Sequence, residues 1–488
     1  MQDKTNKILI WGCLLLLFIG LLSSLNTIEL RAEEPRRAVV AMEMYHTGDW
    51  IVPKIHAWNY YNKPPLFNWV VAANYSLFGS TAEWVVRLPS LIAWCLTALL
   101  LFFFTRTYLD SATAILAALF LLTFADILFY GSVNSGEIDL FFSALIFLQI
   151  ASIFHFEQSK KYLLLFLISY GLTAVAFLTK GIPTLAFQAL TLLVYFIVKG
   201  QWKRLFGWQH IAGILLFTSL LGAYCYAYQQ EANVFAFLTN LLQESTKRSV
   251  SEHKFGAISM HLLGFLPNLL KLLLPWSLAL IFLIKKEIWK STWGHELTRF
   301  CWIFIFANAS LYALSPGTLN RYLYPFFPFF AILFAYLFTQ QQKIKYRHLL
   351  YGILFLALLR VTYNFTIMPQ QQATLKHLIY RDLNQELWKI TEGEKMYWTG
   401  KSSKWEARPR FFGITLASDT LQSPPLLPYQ IAYYLEHTGQ YVFEFHPEPK
   451  KDTFYIAYRK FVANKEVEIF HTFTELWTKQ EMVLVKFK

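Results

Sequence analysis

Long runs without a charged residue are the feature that most constrains this chain. The first, Ile8–Leu25, contains eighteen residues and no charge. About 20 apolar residues carry a helix across the hydrocarbon core of a bilayer, so this run predicts a membrane-spanning helix. On the same criterion we predict about eleven spans: 8–25, 88–105, 112–131, 138–156, 162–179, 182–198, 209–228, 260–284, 300–314, 322–338 and 346–360. Charged residues make up only 15% of the chain, so we expect an α-helical polytopic membrane protein.

The basic residues are distributed unevenly between the loops that join these spans. With the N-terminus in the cytoplasm, the cytoplasmic loops hold clusters such as Lys160/Lys161 and Lys285/Lys286, whereas the short outer loops hold only Lys180 and Arg321. Lys and Arg concentrate on the cytoplasmic side of membrane proteins. Most of the basic excess behind the net charge of +13 is therefore explained by the orientation of the chain in the membrane, and nucleic-acid binding is not expected. The same pattern predicts a cytoplasmic N-terminus, and a bacterial inner membrane is the expected location.

Two long loops lie on the outer side in this topology, at about 26–87 and 229–259. In the first loop, Pro35 suits the first turn of a helix and Gly48 suits its end. A second helix is expected after the Lys63-Pro64-Pro65 segment. Both helices are predicted to lie in the membrane interface, because their apolar patterns contain few charges.

The chain changes character after Arg360, where polar residues and alternating strand-like runs begin. Strands are predicted at 395–399, 453–458 and 482–487, and helices near 371–391 and 428–438. The prediction is therefore a transmembrane domain over 1–360 and a small α/β domain over 361–488, outside the membrane in the periplasm.

The sequence RAEEPRR follows the first span and combines two carboxylates with three guanidinium groups. Glu33 and Glu34 come at the expected helix start, where the positive end of the helix dipole favours carboxylates. Arg36 and Arg37 occupy the first turn. Two interpretations stay open: a self-neutralising surface cluster, or a carboxylate base flanked by cations that hold an anionic ligand.

Further charged residues stand at the outer ends of other predicted spans. Lys63 has a stiff anchor, because two prolines follow it. Asp139 lies inside a span, where an ionisable residue is a functional hypothesis. Ordinary alternatives are solvation, helix capping by Asn134 or Ser135, and snorkelling of long basic side chains. The set of candidates at these ends comprises Glu137, Asp139, Lys180, Arg321 and, in the second long loop, Glu244, Lys247 and Arg248.

No metal site is predicted, since His46 and His56 lack a partner at a spacing typical of metal ligands. A divalent metal stays possible without support from ligand spacing, and no cofactor is assigned. The sequence also lacks a glycine-rich phosphate loop. An outward-facing membrane enzyme has no nucleotide supply, so its activated group has to arrive on a lipid carrier. Cations would then stabilise the carrier phosphate as leaving group while a carboxylate deprotonates the acceptor. This chemistry is glycosyl transfer from a polyprenyl-phosphate sugar.

Several motifs, in order along the chain, resemble those of a known family. They are EEPRRAVVAMEM followed by GDWIVP, then YYNKPPL, then VVRLPS. This series resembles the first loop of lipid-carrier-dependent GT-C glycosyltransferases, above all the lipid A aminoarabinose transferases and their protein O-mannosyltransferase relatives. The likeness is dense over 29–90 and patchier at 134–139, 178–183 and 315–331. It implies a GT-C-like membrane domain and an inverting transfer to lipid A, another glycolipid or a protein.

The resemblance also implies roles for individual residues. Glu33 falls at the position of a catalytic Asp and Glu34 at its acidic neighbour. Asp139 falls at a second acidic position. The positions implied in donor-phosphate binding are Lys63, Arg36, Arg321 and Tyr322. Substrate binding is expected of Glu137, Lys180 and Arg248.

This chain departs from the family pattern at three positions: Glu33 replaces Asp, Asn62 replaces an acidic residue, and Thr318 replaces a lysine. The donor sugar and the acceptor therefore stay open. Two other classes are also considered, a flippase or transporter for lipid-linked glycans and a membrane scaffold that uses the C-terminal domain. A transporter would place its functional polar residues near the bilayer midplane, whereas the charges here collect at one face.

Overall fold

The structure is a computed structural model of the whole chain. It describes residues 2–130, 133–246, 255–341, 344–374, 380–401, 403–407, 410–411, 414–415, 419–423, 429–437, 443–475 and 479–488.

Helices dominate the architecture. In chain order the α-helices are α1 Gln2–Leu22, α2 Glu34–Thr47, α3 Leu66–Phe78, α4 Glu83–Tyr108, α5 Ser111–Thr123, α6 Ala125–Phe129, α7 Ile138–Gln158, α8 Tyr162–Lys180, α9 Pro183–Val198, α10 Trp208–Glu231, α11 Val234–Thr246, α12 Phe255–Leu272, α13 Lys286–Gly294, α14 Glu296–Ala313, α15 Phe327–Gln340, α16 Tyr346–Thr374, α17 Tyr380–Ile390, α18 Tyr429–His437 and α19 Arg459–Val462. Among the described residues, 3₁₀ helices cover Trp202–Phe206, Trp276–Ile284 and Asn320–Phe326.

The part of the chain that the structure describes also contains ten short strands. They are β1 Lys54–Ile55, β2 Trp58–Asn59, β3 Met396–Trp398, β4 Ser403–Ala407, β5 Arg410–Phe411, β6 Ile414–Thr415, β7 Asp419–Ser423, β8 Phe454–Tyr458, β9 Val467–Thr474 and β10 Glu481–Phe487.

The chain divides into two compact units, each built from three segments. The first unit comprises Met1–Ser24, Leu88–Tyr226 and Glu244–Phe365. The second comprises Leu25–Arg87, Ala227–Gln243 and Thr366–Lys488. The first long loop therefore belongs to the same compact unit as the C-terminal region.

Apolar helices confirm a multi-pass membrane protein. Among the described residues, seven helices are long and apolar enough to cross a membrane. Gly256–Leu272 and Trp276–Ile284 form a further candidate that is bent by 117°. Two shorter apolar helices, Ser111–Thr123 and Pro183–Val198, coincide with two of the predicted spans. The remaining predicted span, 300–314, corresponds to α14.

Hydrogen bonds between uncharged side chains join three helices of the first unit. The Gln149 amide on α7 donates to Thr173 Oγ1 on α8 at 3.0 Å and to Gln188 Oε1 on α9 at 2.8 Å. Gln188 in turn donates to Ser169 Oγ at 2.9 Å. All four side chains are buried. Lipid tails are as apolar as leucine, so such polar contacts contribute to helix association where apolar burial alone does not.

The second unit contains a four-stranded sheet with the strand order β3-β8-β10-β9. β3 runs parallel to β8, and the other two pairings are antiparallel. The inner face of β8 and β10 buries residues such as Tyr455, Val483 and Val485. The predicted strands at 395–399, 453–458 and 482–487 correspond to β3, β8 and β10. The predicted helices near 371–391 and 428–438 contain α17 and α18.

Glu29 caps a helix that is distant in sequence within the second unit. Its carboxylate accepts hydrogen bonds from the backbone N–H groups of Tyr380 at 3.1 Å and Arg381 at 2.8 Å. These are first-turn donors of α17, which have no partner inside the helix. Burial raises the pKa of Glu29, and the two N–H groups oppose that rise. The first loop thus stabilises the start of a C-terminal helix.

Replacing Glu29 with alanine should destabilise the second unit by about 1 kcal/mol, the usual loss when an N-cap acceptor is removed. In a unit of this size that corresponds to a melting temperature about 2–4 °C lower. Thermal denaturation of the purified full-length protein in detergent measures the shift. Glu29→Gln, which keeps one carbonyl oxygen as acceptor, should melt between the two. Equal melting of Glu29→Ala and the unmodified protein would contradict the capping role.

Candidate functional site

The acidic cluster of the first loop lies at the start of α2, as predicted. Glu33 is the N-cap residue, Pro35 follows in the first turn, and Gly48 ends the helix in a left-handed conformation with φ +73°. Only a residue without Cβ adopts that conformation readily. The prediction of a helix from Pro35 to Gly48 is confirmed.

Glu34 forms a buried ion pair with Arg87. The guanidinium Nε lies 2.8 Å from Glu34 Oε1, and Nη2 lies 3.2 Å from Oε2. Its remaining donors bond the carbonyl oxygens of Leu25 at 2.6 Å, Ile28 at 2.8 Å and Glu29 at 3.1 Å. Both side chains are only 2% exposed. A guanidinium with five donors is well suited to such a bidentate pair, and the pair holds residues 25–34 around the start of α2.

Glu33 forms an ion pair with Arg36, one helical turn further along α2. Here the side chains stay accessible, with 33% of Glu33 and 19% of Arg36 exposed. Arg36 also donates a hydrogen bond to Tyr429. Neighbouring Arg37 is buried and donates from Nη1 to the Tyr60 hydroxyl at 2.9 Å. Of the two glutamates, only Glu33 is accessible enough to meet a substrate.

Lys63 lies in a bend directly before Pro64 and Pro65, and is half-buried. The helix predicted after these prolines is α3, which begins at Leu66 and ends before Gly79. Asn62 accepts a hydrogen bond from the Asn240 amide at 3.3 Å, so the residue beside Lys63 is tied to the second outer loop. Lys63 and the α2 cluster belong to the same compact unit.

The first unit brings together charged residues from three separate segments. Lys180 Nζ lies 2.5 Å from Asp139 Oδ1, and Arg321 Nη1 lies 2.7 Å from Glu137 Oε2. Arg321 Nε is 3.5 Å from Asp139 Oδ2, which links the two pairs. Lys180 Nζ also lies 4.5 Å from the centre of the Tyr322 ring. These five residues were selected individually from sequence, and here they form one network with two positive and two negative charges.

Helix ends position this network. Glu137 is the N-cap of α7 and Asp139 lies in its first turn. Lys180 is the last residue of α8. Lys180 and Asp139 are 8% and 4% exposed, and Arg321 is 24% exposed. A buried charge requires a partner because desolvation is costly, so Lys180 and Asp139 support each other, while Arg321 has the better access to a ligand.

Asn134 has a different role from the one predicted. The expectation that Asn134 or Ser135 caps α7 was wrong, because Glu137 occupies the cap position. The Asn134 amide instead donates to the Leu21 carbonyl at 2.5 Å. Its oxygen accepts a hydrogen bond from Arg360, which is fully buried. Arg248 and Lys247 of the second loop lie outside the described residues, whereas Glu244 lies on α11.

Two buried polar groups were not anticipated from the sequence. Arg87 stands in the motif VVRLPS, and its place in the first turns of an apolar helix indicates a paired, buried charge. His56 was given no ligand partner, yet the structure brings it together with Glu43 and Glu436. Ligand atoms of these three buried residues lie within 4.8 Å of one another. The spacing in sequence contained no signal for this group.

The apolar helices and the charged clusters at their ends define a polytopic membrane protein, and comparisons with known proteins show what it is similar to. A family model described as dolichyl-phosphate-mannose-protein mannosyltransferase matches residues 62–228. The chain is 29% identical over 316 residues to an undecaprenyl phosphate-alpha-4-amino-4-deoxy-L-arabinose arabinosyl transferase of Edwardsiella ictaluri, covering 62% of this chain and 54% of the relative. It is 25% identical over 320 residues to the Pseudomonas aeruginosa enzyme of the same name, covering 64% and 56%. The chain thus aligns with little more than half the length of these relatives.

A solved structure extends the likeness along the whole chain. The crystal structure of ArnT from Cupriavidus metallidurans bound to undecaprenyl phosphate is 15% identical, with a TM-score of 0.72. The match covers 99% of this chain and 98% of that one. These comparisons confirm the resemblance to aminoarabinose transferases and protein mannosyltransferases that the first-loop motifs indicated.

The two neighbouring glutamates should differ in their effect on stability. Glu34→Ala leaves the Arg87 guanidinium buried without its carboxylate, which should lower the free energy of unfolding by about 3–5 kcal/mol. Glu33→Ala removes an accessible ion pair and should cost no more than about 1 kcal/mol. Thermal denaturation of both variants in detergent makes the comparison. Equal losses would show that the Glu34–Arg87 pair is not the stronger constraint.

Proposed function

We propose that the protein is an inverting glycosyltransferase that moves a sugar from a polyprenyl-phosphate donor to an acceptor on the periplasmic side. The observation that carries this proposal is the fold match over 99% of the chain to an ArnT solved with undecaprenyl phosphate. The names of the aligned relatives support an undecaprenyl-phosphate sugar as the donor class. The acceptor is lipid A, another glycolipid or a protein. No comparison favours a transporter or a scaffold.

In the second unit, Glu33 is the proposed base. It would take the proton of an acceptor hydroxyl, whose oxygen then attacks the anomeric carbon as the carbon–phosphate oxygen bond breaks. One such displacement inverts the anomeric configuration. An acceptor phosphate is already ionised. With such an acceptor, Glu33 would orient the phosphate and would not need to remove a proton. The one-third exposure of the Glu33 side chain supports this assignment, and its buried neighbour Glu34 is the structural member of the acidic pair.

Arg36 and Lys63 are the proposed phosphate-binding cations of the second unit. A phosphodiester donor carries one negative charge, and the departing polyprenyl phosphate gains a second as the bond to the sugar breaks. Cations therefore stabilise the transition state more than the bound donor, which is the condition for catalysis. Arg36 is partly exposed and lies beside Glu33, the proposed base. A phosphate next to the reacting sugar could therefore contact the Arg36 guanidinium.

In the first unit, Arg321 and Tyr322 are the proposed donor-phosphate contacts. Arg321 has five N–H donors and uses Nη1 for Glu137. Asp139 is nearly inaccessible and is bonded to Lys180. We therefore assign Asp139, Glu137 and Lys180 to holding Arg321 and Tyr322 in position for the substrate. Arg248 stays a proposed substrate contact on the resemblance alone.

We further propose eleven membrane spans, in which the bent pair, the two short apolar helices and α14 join the seven long helices. The N-terminus would be cytoplasmic and 361–488 would form a soluble α/β domain in the periplasm of a bacterium, beyond a transmembrane domain over 1–360. The uneven distribution of Lys and Arg supports this orientation.

Substituting the proposed base or phosphate-binding lysine should abolish most transfer. Glu33→Gln keeps size and hydrogen bonding but cannot accept a proton, and should lower kcat by about 10²–10⁴-fold. Lys63→Ala should lower it by about 10²–10³-fold. The measurement is transfer of a radiolabelled polyprenyl-phosphate sugar to lipid or protein in membranes. Arg31→Gln, an exposed cation of the same cluster, is the matched control and should retain activity. Full activity in both Glu33→Gln and Lys63→Ala would overturn these assignments.

The proposed orientation can be tested with reporter fusions in a bacterial host. Alkaline phosphatase, which is active only outside the cytoplasm, should be active when fused after residue 488 and inactive when fused after residue 160. A fluorescent protein that folds in the cytoplasm should give the opposite pattern. Activity of the phosphatase at residue 160 would invert the topology.

A further inference from the structure

A second group of buried polar residues lies in the second unit and has no part in the proposed transfer. His56 and Ala57 form the two-residue turn between β1 and β2, both with positive φ, +56° and +66°. Residues with a Cβ seldom adopt this conformation. Glu43 on α2 holds the turn, because its carboxylate accepts the backbone N–H of His56 and, at 3.1 Å, that of Ala57. The backbone of the turn is thereby fixed.

The His56 ring is bonded on one side only. Its Nδ1 lies 2.8 Å from the Phe443 carbonyl oxygen, which can only accept, so Nδ1 carries the proton and Nε2 has a lone pair. Glu436 on α18 accepts the Phe443 N–H through Oε1 at 3.0 Å. Within the described part of the chain, His56 Nε2 and Glu436 Oε2 are buried and have no hydrogen-bond partner. His56 is 0% and Glu436 3% exposed.

The three side chains are arranged around a common point. One ligand atom from each of Glu43, His56 and Glu436 lies within 4.8 Å of the other two. Ligands of a tetrahedral ion at 2.0–2.2 Å lie about 3.4 Å apart, which is compatible with three atoms that all lie within 4.8 Å of one another.

We infer that Glu43, His56 and Glu436 form a binding site for a divalent transition-metal ion, with zinc as the first choice. One imidazole nitrogen and two carboxylate oxygens are zinc ligands, whereas calcium and magnesium prefer oxygen alone. Among the described residues, neither carboxylate forms an ion pair. Two charged residues outside the group, Lys54 and Glu444, interact electrostatically with Glu43, and their opposite charges counteract each other. A dication would neutralise two carboxylates that are otherwise costly to bury.

Backbone groups around the three ligands match the usual surroundings of a metal site. A metal-binding histidine typically donates its other ring N–H to a carbonyl or carboxylate, which fixes the tautomer. The Phe443 carbonyl has that role here. Because Nδ1 donates to that carbonyl, Nε2 has the lone pair that can ligate an ion. Sharing protons between the carboxyls is the alternative, but it leaves His56 Nε2 without a partner.

The site would be structural. It joins α2, the β1–β2 turn and α18, which come from distant parts of the sequence but belong to one compact unit. Its side chains are buried. The Tyr429 ring stacks on His56 at a centroid distance of 6.1 Å, and the Phe443 ring meets His56 edge to face at 5.7 Å. A metal that binds only the folded state stabilises that state by mass action.

The test measures zinc in the full-length protein, purified in detergent without a polyhistidine tag and equilibrated with zinc chloride. We expect one zinc per chain by elemental analysis. His56→Gln and Glu436→Gln should each weaken zinc binding by at least about 100-fold, the upper range for disturbed metal sites. The matched control is His46→Gln. His46 lies on α2, as Glu43 does, but is not one of the three proposed ligands, so this variant should retain one zinc. A chelator should lower the melting temperature of the unmodified protein and leave that of His56→Gln unchanged.

Spectroscopy keeps the inference testable if a variant fails to fold. Cobalt(II) bound to the unmodified protein should give visible d–d absorption that zinc, but not magnesium, abolishes. Absence of this absorption, absence of zinc from the unmodified protein, or equal zinc content in the control and in both folded variants would each overturn the site. Loss of glycosyl transfer without loss of zinc would concern the proposed function alone.

Discussion

The second unit depends on how the buried Arg87 guanidinium is satisfied. Three carbonyl oxygens and one carboxylate surround it, so the segment after the first span has to turn back around this side chain. The turn delivers Pro35 and α2 in a fixed orientation. Because a buried, unpaired guanidinium would be costly, alternative paths for residues 25–34 are strongly disfavoured. The accessible position of Glu33 follows from the anchoring of Glu34 beside it.

Buried carboxylates also tie the first loop to the C-terminal region of the same unit. Glu83 accepts hydrogen bonds from Arg381 at 2.6 Å and from the Tyr434 hydroxyl at 2.6 Å, and Glu29 caps α17. Removing the residues after 365 would leave these carboxylates without their partners. The C-terminal region therefore has a structural role in the first loop, and a truncated chain would report on folding before it reported on acceptor binding.

Local features of the fold could be predicted from sequence, and long-range pairings could not. Pro35 marks the start of α2 and Gly48 marks its end, because proline and glycine have backbone preferences that suit these positions. These preferences are local and do not depend on the rest of the fold. Asp139 and Arg321 were identifiable because charges at the ends of apolar spans are exceptional. Their pairing depends on the packing of three helices, which one sequence does not encode by spacing. Glu43 could not be identified from the sequence for another reason. Within AVVAMEMY a single glutamate is typical of the solvated face of an interfacial helix. The residues near it in the fold, His56 and Glu436, come from a turn and from a distant helix.

Glu33 and Glu34 are chemically identical neighbours, but they differ in burial. At an effective dielectric constant near 20, an ion pair at 4 Å is worth about 4 kcal/mol, compared with about 1 kcal/mol in water. The Glu34–Arg87 pair, 2% exposed, is therefore difficult to exchange for any other partner. The Glu33–Arg36 pair is partly exposed, and in the proposed reaction a donor phosphate would compete for its arginine at little cost. The buried pair would then keep α2 in place through every turnover, while the accessible pair would open each time a donor binds.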